Sequence, residues 1–305
     1  MPLIESASNG KSSRSLWDRW YVRVPLKWFV FAIVTAFTLF PYPAQTLHHL
    51  SHISNLEKMV EPDAPELARW DGEMARLREQ ARKTAATGRE SEARAMQRSV
   101  EKFVLAQVKY EWDWNLWGSA DYMPTVREMF MRAEQFEDGQ LREDCDGRAV
   151  IAASLMRRLG YDSQIVTDLR HVWVVTKQGE WMGPGRMKTL RSTPQGNQAD
   201  IWTTLSNAPV ALSYGVAVFP FWREMIIAGT AFVLLLHRRT GWRSALLGGV
   251  LIVQGLLFMR LGFMAPERVG REISAWPSWI GLLHVAAGMA VLMCASFVAR
   301  RIRRL

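Results

Sequence analysis

The chain has 305 residues, which is enough for one soluble domain with several membrane spans and too few for two large domains. Its formal net charge is +9 at pH 7, yet residues 45–213 contain 22 Lys and Arg against 24 Asp and Glu. The positive excess therefore lies beside the apolar segments, which excludes most of the case for a nucleic-acid partner. The two cysteines, Cys145 and Cys294, cannot form a secreted disulfide framework, and no Cys/His spacing is typical of a zinc site. We expect neither a metal nor a cofactor.

The first apolar run extends from Leu26 to Phe40 and follows a basic leader. With Val24 and Pro25 it reaches the roughly 17 residues that a membrane span needs. A cleavable signal peptide is the alternative, but the residues after Phe40 offer no clear small-x-small cleavage site. The pattern favours an uncleaved anchor at 26–44 behind a cytoplasmic basic tail at 1–25.

Three further apolar segments, at about 216–236, 244–264 and 279–299, predict a membrane domain at 214–299 and about four spans in all. Pro220, Arg223 and Glu224 interrupt the first of these segments, so in an alternative interpretation it enters as an interfacial stretch and crosses from about Glu224. Basic residues cluster before the first span, between the second and third, and in the tail at 300–305. Because basic residues that flank a membrane stay in the cytoplasm, we expect a multi-pass protein of the cytoplasmic (inner) membrane. Both termini would be cytoplasmic, and residues 45–213 would be periplasmic or otherwise extracytoplasmic.

Two charged residues, Glu224 and Arg260, fall near the outer ends of their predicted spans. Their similar depth and opposite sign predict an ion pair between them. In the alternative interpretation, each side chain snorkels separately to the outer interface.

The soluble region begins with a helical segment at 45–110, whose apolar residues recur at three- and four-residue spacing on both sides of Thr87-Gly88. This predicts two amphipathic helices packed as a hairpin. The segment that follows carries Trp112, Trp114 and Trp117 within six residues. These tryptophans form either a folded aromatic corner or the hydrophobic wall of a substrate cleft.

A helix is predicted from Cys145 to a C-terminal cap at Gly160, directly after Asp144. A free cysteine is often a small buried hydrophobe. At a helix N-terminus, however, the dipole and the unpaired N–H groups lower the thiol pKa, and the N–H groups could bind an oxyanion. The β-branched segments Ser163–Thr167 and His171–Thr176 predict two strands, so that His171 begins a strand across the mouth of this helix.

From about Val100 to Trp181 the sequence resembles the transglutaminase-like superfamily of papain-related folds. The resemblance lies in an ordered set of motifs: Tyr110 with the Trp cluster, Pro124-Thr125 with Glu128, Asp144-Cys145 before a helix ending in Leu159-Gly160-Tyr161, His171-Val172-Trp173-Val174, and Gly179-Glu180-Trp181. It implies an α+β transglutaminase-like domain at 111–213, in which the Cys-bearing helix packs against an antiparallel sheet. The helical hairpin would be an addition to that fold.

The resemblance also implies that Cys145 is a nucleophile and His171 its general base, forming a thioester with an amide carbonyl. The expected function is a cysteine amidase, peptidase or acyl-transferase acting on an extracytoplasmic peptide or envelope substrate. The acid that orients the histidine would fall at Gly185, where none is present, and Asp168 and Glu180 are nearby substitutes. A catalytically inactive interaction subunit of a membrane complex is therefore the alternative. The expected partners are the lipid bilayer, an extracytoplasmic peptide or protein, and other membrane subunits.

Overall fold

A computed structural model describes residues 20–183, 188–237, 240–261 and 276–301, with side chains between Tyr21 and Ala295. The helices of these ranges are α1 (Trp20–Leu39), α2 (Pro43–Ile53), α3 (Asp71–Ala86), α4 (Glu92–Gln107), α5 (Asp113–Leu116), α6 (Val126–Ala133), α7 (Cys145–Arg158), α8 (Ile201–Val218), α9 (Phe221–Leu235), α10 (Trp242–Leu261) and α11 (Trp276–Arg301). The strands are β1 (Val108–Tyr110), β2 (Leu141–Glu143), β3 (Ser163–Thr167), β4 (Val172–Thr176), β5 (Gly179–Trp181), β6 (Leu190–Arg191) and β7 (Gln198–Ala199). Short 3-10 helices occupy Leu56–Met59 and Pro65–Trp70.

Three helices of the described residues are long and apolar enough to cross a membrane. They are Tyr21–Leu39 in α1, Trp242–Leu261 in α10 and Trp276–Ala295 in α11. The expected total of about four spans is therefore wrong. A break at Phe219-Pro220 divides the predicted segment 216–236 between α8 and α9, and α9 has 15 residues. At a rise of about 1.5 Å per residue, such a helix is shorter than the hydrocarbon core of a bilayer.

Helix α9 runs antiparallel to α1. At one end, Arg223 Nη2 donates to Gly118 O at 2.9 Å, and the nearby Ala120 N donates to Leu39 O at 2.7 Å. At the other end, Lys27 Nζ donates to Leu234 O. These bonds join the ends of both helices to each other and to the soluble region. An odd number of spans does not by itself place both termini on one side, so the predicted topology stays a prediction.

The ion pair expected between Glu224 and Arg260 is confirmed. Arg260 Nε donates to Glu224 Oε2 at 2.8 Å, and Arg260 Nη2 donates to the same oxygen and to Phe219 O. The Glu224 side chain is 8% exposed and the Arg260 side chain is 15% exposed. Because a charge in apolar surroundings is stabilised by an opposite charge and by hydrogen bonds, this pair fastens α9 to α10 beside the Phe219-Pro220 break.

Helix α7 lies at the centre of the soluble region, and its residues 149–156 are all buried. It packs against β3 and β4 and against α4 and α6. Its ends agree with the sequence prediction. The Asp144 side chain caps its start by accepting from Asp146 N at 3.1 Å, and Gly160, with φ of 85°, follows its end.

An antiparallel sheet with the strand order β5-β4-β3-β6-β7 packs on α7. In its centre Val166 pairs with Trp173, and Val174 pairs with Trp181. Strands β1 and β2 form a separate parallel pair. The predicted α+β class, with a Cys-bearing helix against an antiparallel sheet, is thus confirmed.

The helical hairpin is part of the same folded unit as the sheet. Helices α3 and α4 pack together, and Gly88, with φ of 71°, lies in the turn between them. One continuous apolar core extends from Leu56 to Met182. The hairpin side chains Met96, Val100 and Val104 are fully buried in it. This core holds α7 rigidly, which positions its N-terminal residue.

Candidate functional site

Cys145 is the first residue of α7, and its side chain is partly buried. The backbone N–H of Val172 approaches its sulfur closely enough to lower the pKa of the thiol. Val172 follows His171 and is the first residue of β4. The packing of α7 on the sheet therefore brings Cys145 to the start of the strand predicted to carry its base. The distance between sulfur and imidazole stays a prediction.

The surroundings of the thiol oppose ionisation. Burial raises the pKa of the Cys145 thiol well above its usual range, and the negative charge of Asp144 raises this pKa further. The Val172 N–H lowers the pKa, while Asp121 and Asp113 add to the rise. The lowered pKa expected from the helix N-terminus is therefore not what these surroundings produce, because desolvation and nearby negative charge both disfavour thiolate.

Four carboxylates cluster beside Cys145: Asp113, Glu143, Asp144 and Asp146. One oxygen of each lies within 4.8 Å of the others. Burial raises the pKa values of Asp113, Glu143 and Asp146 well above their usual range, and Asp144 raises them further. Shared protons or a hard cation with oxygen ligands, such as Ca²⁺, would relieve the repulsion among these groups.

Glu143 is the least satisfied member of this acidic cluster. It is fully buried, and neither of its carboxylate oxygens has a normal hydrogen bond within the described residues. The Trp117 indole approaches the carboxyl group and lowers its pKa, but without hydrogen-bonding geometry. Glu143 also packs on Gly147, where a Cβ would lie 2.6 Å from Glu143 Cγ. Only glycine therefore fits at this position of α7.

The His171 ring is held by a main-chain carbonyl. Its Nε2 lies 2.8 Å from Met182 O. Because a carbonyl oxygen can only accept, Nε2 must carry the proton, and a neutral ring then has its lone pair on Nδ1. The ring also stacks on Trp173, with centroids 6.3 Å apart. Nδ1 is thus the nitrogen that could take a proton.

Met182 adopts an unusual backbone conformation where it contacts His171. Its φ is 65°, in the left-handed region that non-glycine residues rarely adopt. Its N–H donates to Glu101 Oε1 at 2.9 Å, which helps to hold this conformation. The Met182 carbonyl is thus the hydrogen-bond acceptor that the described residues give to the His171 ring. Position 185, where that acid would fall, lies outside the described residues.

The two substitute acids contact other atoms. Asp168 Oδ1 accepts from the main-chain N–H groups of Arg170 and His171, both at 3.0 Å. Asp168 therefore shapes the β3–β4 turn and fixes the main chain of His171, not its ring. Glu180 Oε2 accepts from Trp173 Nε1 at 2.9 Å. Glu180 thus holds the indole on which the imidazole stacks.

The three tryptophans divide between two structures. Trp112 and Trp114 stack with centroids 4.6 Å apart, and Trp114 also contacts Phe219. These two form an aromatic corner that reaches the membrane helices. Trp117 lines a cleft of about 510 Å³ together with Tyr42, Gln45, Asn115, Leu116, Gly118, Tyr122 and Arg132. Neither Cys145 nor His171 lines that cleft.

The sequence analysis missed several residues near Cys145. Tyr214 of α8 lies within electrostatic range of the thiol, as does Tyr110 of β1, which the sequence showed only as part of the aromatic motif. Asn207, also in α8, donates to Asp168 O, so this apolar helix reaches the turn before His171. Asp144 and Asp146 are visible as acids next to Cys145, but no local signal identifies Asp113 or the Met182 carbonyl.

Comparison of the chain with family models, curated proteins and solved structures finds no match. The site is therefore interpreted from its own residues.

Proposed function

We propose that this chain is a membrane-anchored cysteine amidase, peptidase or acyl-transferase of the transglutaminase-like type. It would act through a thioester on a peptide or envelope substrate outside the cytoplasm. The observation that carries the proposal is the contact between the start of α7 and the start of β4, where the Val172 N–H meets the Cys145 sulfur. This contact supports the proposal because Val172 directly follows His171 in the chain.

The residues suit a two-stage reaction. His171 Nδ1 takes the thiol proton, and the sulfur of Cys145 attacks the amide carbon. Main-chain N–H groups of the first turn of α7 stabilise the oxyanion. The C–N bond then breaks, the leaving amine takes the proton from His171, and a thioester remains. Water or an acceptor amine attacks the thioester and its proton passes to His171; the C–S bond then breaks, and the Cys145 sulfur takes this proton from His171 to leave as the thiol.

The acidic cluster determines when this reaction can begin. A charged Asp144 raises the thiol pKa, and its neutralisation by a proton or a cation would favour thiolate. Each unit by which the pKa falls toward the ambient pH raises the thiolate fraction about tenfold. The proposed enzyme is therefore sensitive to the charge state of the residues beside its nucleophile.

One set of observations favours the alternative of a catalytically inactive interaction subunit. Burial and Asp144 both raise the thiol pKa, and the acceptor of the His171 ring is a carbonyl oxygen instead of a carboxylate. A neutral acceptor stabilises an imidazolium less than a carboxylate does. A scaffold that has lost the chemistry could retain both the fold and the position of Cys145.

Thiol labelling distinguishes the two functions. Because Cys294 is exposed, the experiment uses full-length protein with Cys294→Ser and an alkylating probe. An enzyme labels at Cys145 faster than free cysteine does at neutral pH, and His171→Ala removes the advantage. The Cys145→Ser variant gives the background. Labelling that is slow and indifferent to His171→Ala would refute the enzyme and favour the scaffold.

A second variant tests the acidic cluster. Asp144→Asn removes the charge but keeps an N-cap side chain, because Asn and Asp cap helices about equally well. We expect the rate of Cys145 alkylation at neutral pH to rise, since a cause of the raised thiol pKa is removed. An unchanged rate with an unchanged melting temperature would show that burial alone controls the thiol.

A further inference from the structure

A second cluster of possible metal ligands lies between α2 and α6 and shares no residue with the acidic cluster. His48 and His52 are one helical turn apart on α2, and Glu128 lies in the first turn of α6. One ligand atom of each residue lies within 4.8 Å of those of the other two. We infer that His48, His52 and Glu128 bind a divalent transition-metal ion of the Zn²⁺ class. Two imidazole nitrogens and one carboxylate oxygen are a ligand set that suits such ions.

The hydrogen bond of His52 leaves one ring nitrogen with a lone pair. His52 Nδ1 lies 2.7 Å from Met123 O. Because the carbonyl accepts, Nδ1 carries the proton, and Nε2 of the neutral ring presents a lone pair. A metal-binding histidine usually donates its other N–H to a carbonyl or a carboxylate in this way, which fixes its tautomer and orientation. His52 is also buried, so its ring has little freedom to turn away.

Glu128 is oriented in the same manner. Its Oε2 accepts from Thr125 N at 2.7 Å and from Thr125 Oγ1 at 2.9 Å. Its Oε1 accepts from Tyr122 OH at 2.7 Å and lies 3.2 Å from His48 Nδ1. His48 Nδ1 also lies 3.2 Å from Tyr122 OH, whose proton goes to Glu128, so Nδ1 carries a proton that a bound metal would replace. Two ligand atoms bound tetrahedrally at about 2.0–2.1 Å are roughly 3.4 Å apart. The spacing of His48 and Glu128 is thus close to that of two zinc ligands.

The neighbouring His49 has a different role. Its Nδ1 accepts from Met123 N at 3.1 Å, so this nitrogen carries no proton, and the ring is nearly enclosed. His49 is therefore a neutral structural residue that fastens α2 to the segment before α6. It helps to place His48 and His52 opposite Glu128.

The site is open on one side. The His48 side chain is 53% exposed and that of Glu128 is 24% exposed. Three protein ligands with solvent access leave a fourth position for water, as in zinc sites that are not purely structural. Tyr122, which hydrogen-bonds to Glu128, also lines the cleft that contains Trp117. A bound metal would therefore join α2 to α6 and hold a water molecule near this cleft.

Metal binding by the full-length protein in detergent tests the inference. After treatment with a chelator, the protein is equilibrated with Zn²⁺ and the bound metal is measured by elemental analysis, with Co²⁺ absorption reporting the coordination. We expect one Zn²⁺ per chain. In His48→Asn and His52→Gln we expect the affinity for Zn²⁺ to fall at least about tenfold. Removing only the hydrogen-bonding partner of a metal ligand already lowers the affinity by about that factor, and these variants remove a ligand itself.

Matched controls keep the result interpretable. His171→Ala removes a histidine outside the cluster, and Asp144→Asn alters the acidic cluster, so both should keep the Zn²⁺. Because His48 is exposed, His48→Asn should melt at the wild-type temperature in chelator and lose only the increase that Zn²⁺ causes. The inference would be overturned if the wild-type protein showed no saturable Zn²⁺ binding. It would also be overturned if Zn²⁺ binding survived in His48→Asn and His52→Gln, or if it were lost in Asp144→Asn. None of these outcomes depends on the activity of Cys145.

Discussion

The glycines between α10 and α11 allow a sharp test of the membrane domain. Gly255 and Gly281 face each other: a Cβ at Gly255 would lie 2.6 Å from Gly281 O, and one at Gly281 would lie 2.7 Å from Gly255 O. The same arrangement recurs at Gly248, seven residues before Gly255, and Gly288, seven residues after Gly281. Small residues that allow backbones to approach closely are typical of helix pairs in membranes, where apolar burial alone does not drive association.

The change Gly255→Ala should destabilise this pair. Ordinary van der Waals contact of a Cβ begins at 3.4 Å, and a Cβ at Gly255 would lie 2.6 Å from Gly281 O, so the two helices must separate by about 0.8 Å. The atoms that this Cβ would meet belong to the backbone of α11 and to Val285. Overpacking of this kind costs about 1–3 kcal/mol. The better helix propensity of Ala offsets about 0.8–1 kcal/mol of that cost. We therefore expect a net loss of up to about 2 kcal/mol.

Thermal unfolding in mild detergent measures the effect, with Gly229→Ala in α9 as the matched control. A Cβ at Gly229 meets nothing within 4 Å, so this variant should be unchanged or slightly more stable. The double variant Gly255→Ala/Gly281→Ala should lose less than the sum of the single losses, because one separation relieves both contacts. Equal stability of Gly255→Ala and Gly229→Ala would refute the close approach of α10 and α11.

Three further predictions concern the charged groups and the topology. Burial raises the pKa of Glu143 above 4.5, so the folded state binds its proton more tightly than the unfolded state does. The stability of the protein should therefore fall as pH rises through 4.5 toward the raised pKa. The difference between the melting temperatures at pH of about 5 and about 8 should be smaller in Glu143→Gln than in the wild type. The change Glu224→Leu leaves Arg260 buried without its opposite charge and should lower the free energy of chemical unfolding by about 3–5 kcal/mol. The double variant Glu224→Leu/Arg260→Leu should lose less, because no unpaired charge remains. A double variant as unstable as the single one would contradict the pairing. A reporter inserted at Gly88 should behave as extracytoplasmic and one on the N-terminal tail as cytoplasmic, and finding both on one side would show that α1 does not cross the membrane.

Local signals in the sequence were sufficient for the elements that carry the candidate site. Asp144 before Cys145 and Gly160 after Leu159 predicted both ends of α7, because caps satisfy the unpaired groups at helix ends through nearby residues. Thr125 and Glu128, which the sequence shows three residues apart, form a capping box at the start of α6. The Glu224–Arg260 pair could also be predicted, since membrane depth restricts where a charge finds its partner.

The number of membrane spans depended on more than hydropathy. The segment 216–236 is apolar throughout most of its length, yet a helix ends at Val218 and the next begins at Phe221. Because proline lacks an N–H and disfavours helical geometry in the residue before it, Pro220 divides the segment. Hydropathy averages across such a break and therefore predicts one long helix.

The chemistry around the site was decided by tertiary structure. Folding buries the Cys145 thiol beside Asp144, which reverses the direction of the pKa shift expected from the helix N-terminus, and it brings Asp113 and Glu143 into one acidic cluster with Asp144. The acceptor of the His171 ring is the carbonyl of Met182, and every residue has such a carbonyl, so no pattern of side chains could identify it. His52 and Glu128 likewise meet only because α2 packs beside α6. Local hydrogen bonding determines where helices and strands begin and end, whereas desolvation and distant charges depend on which elements the core packs together.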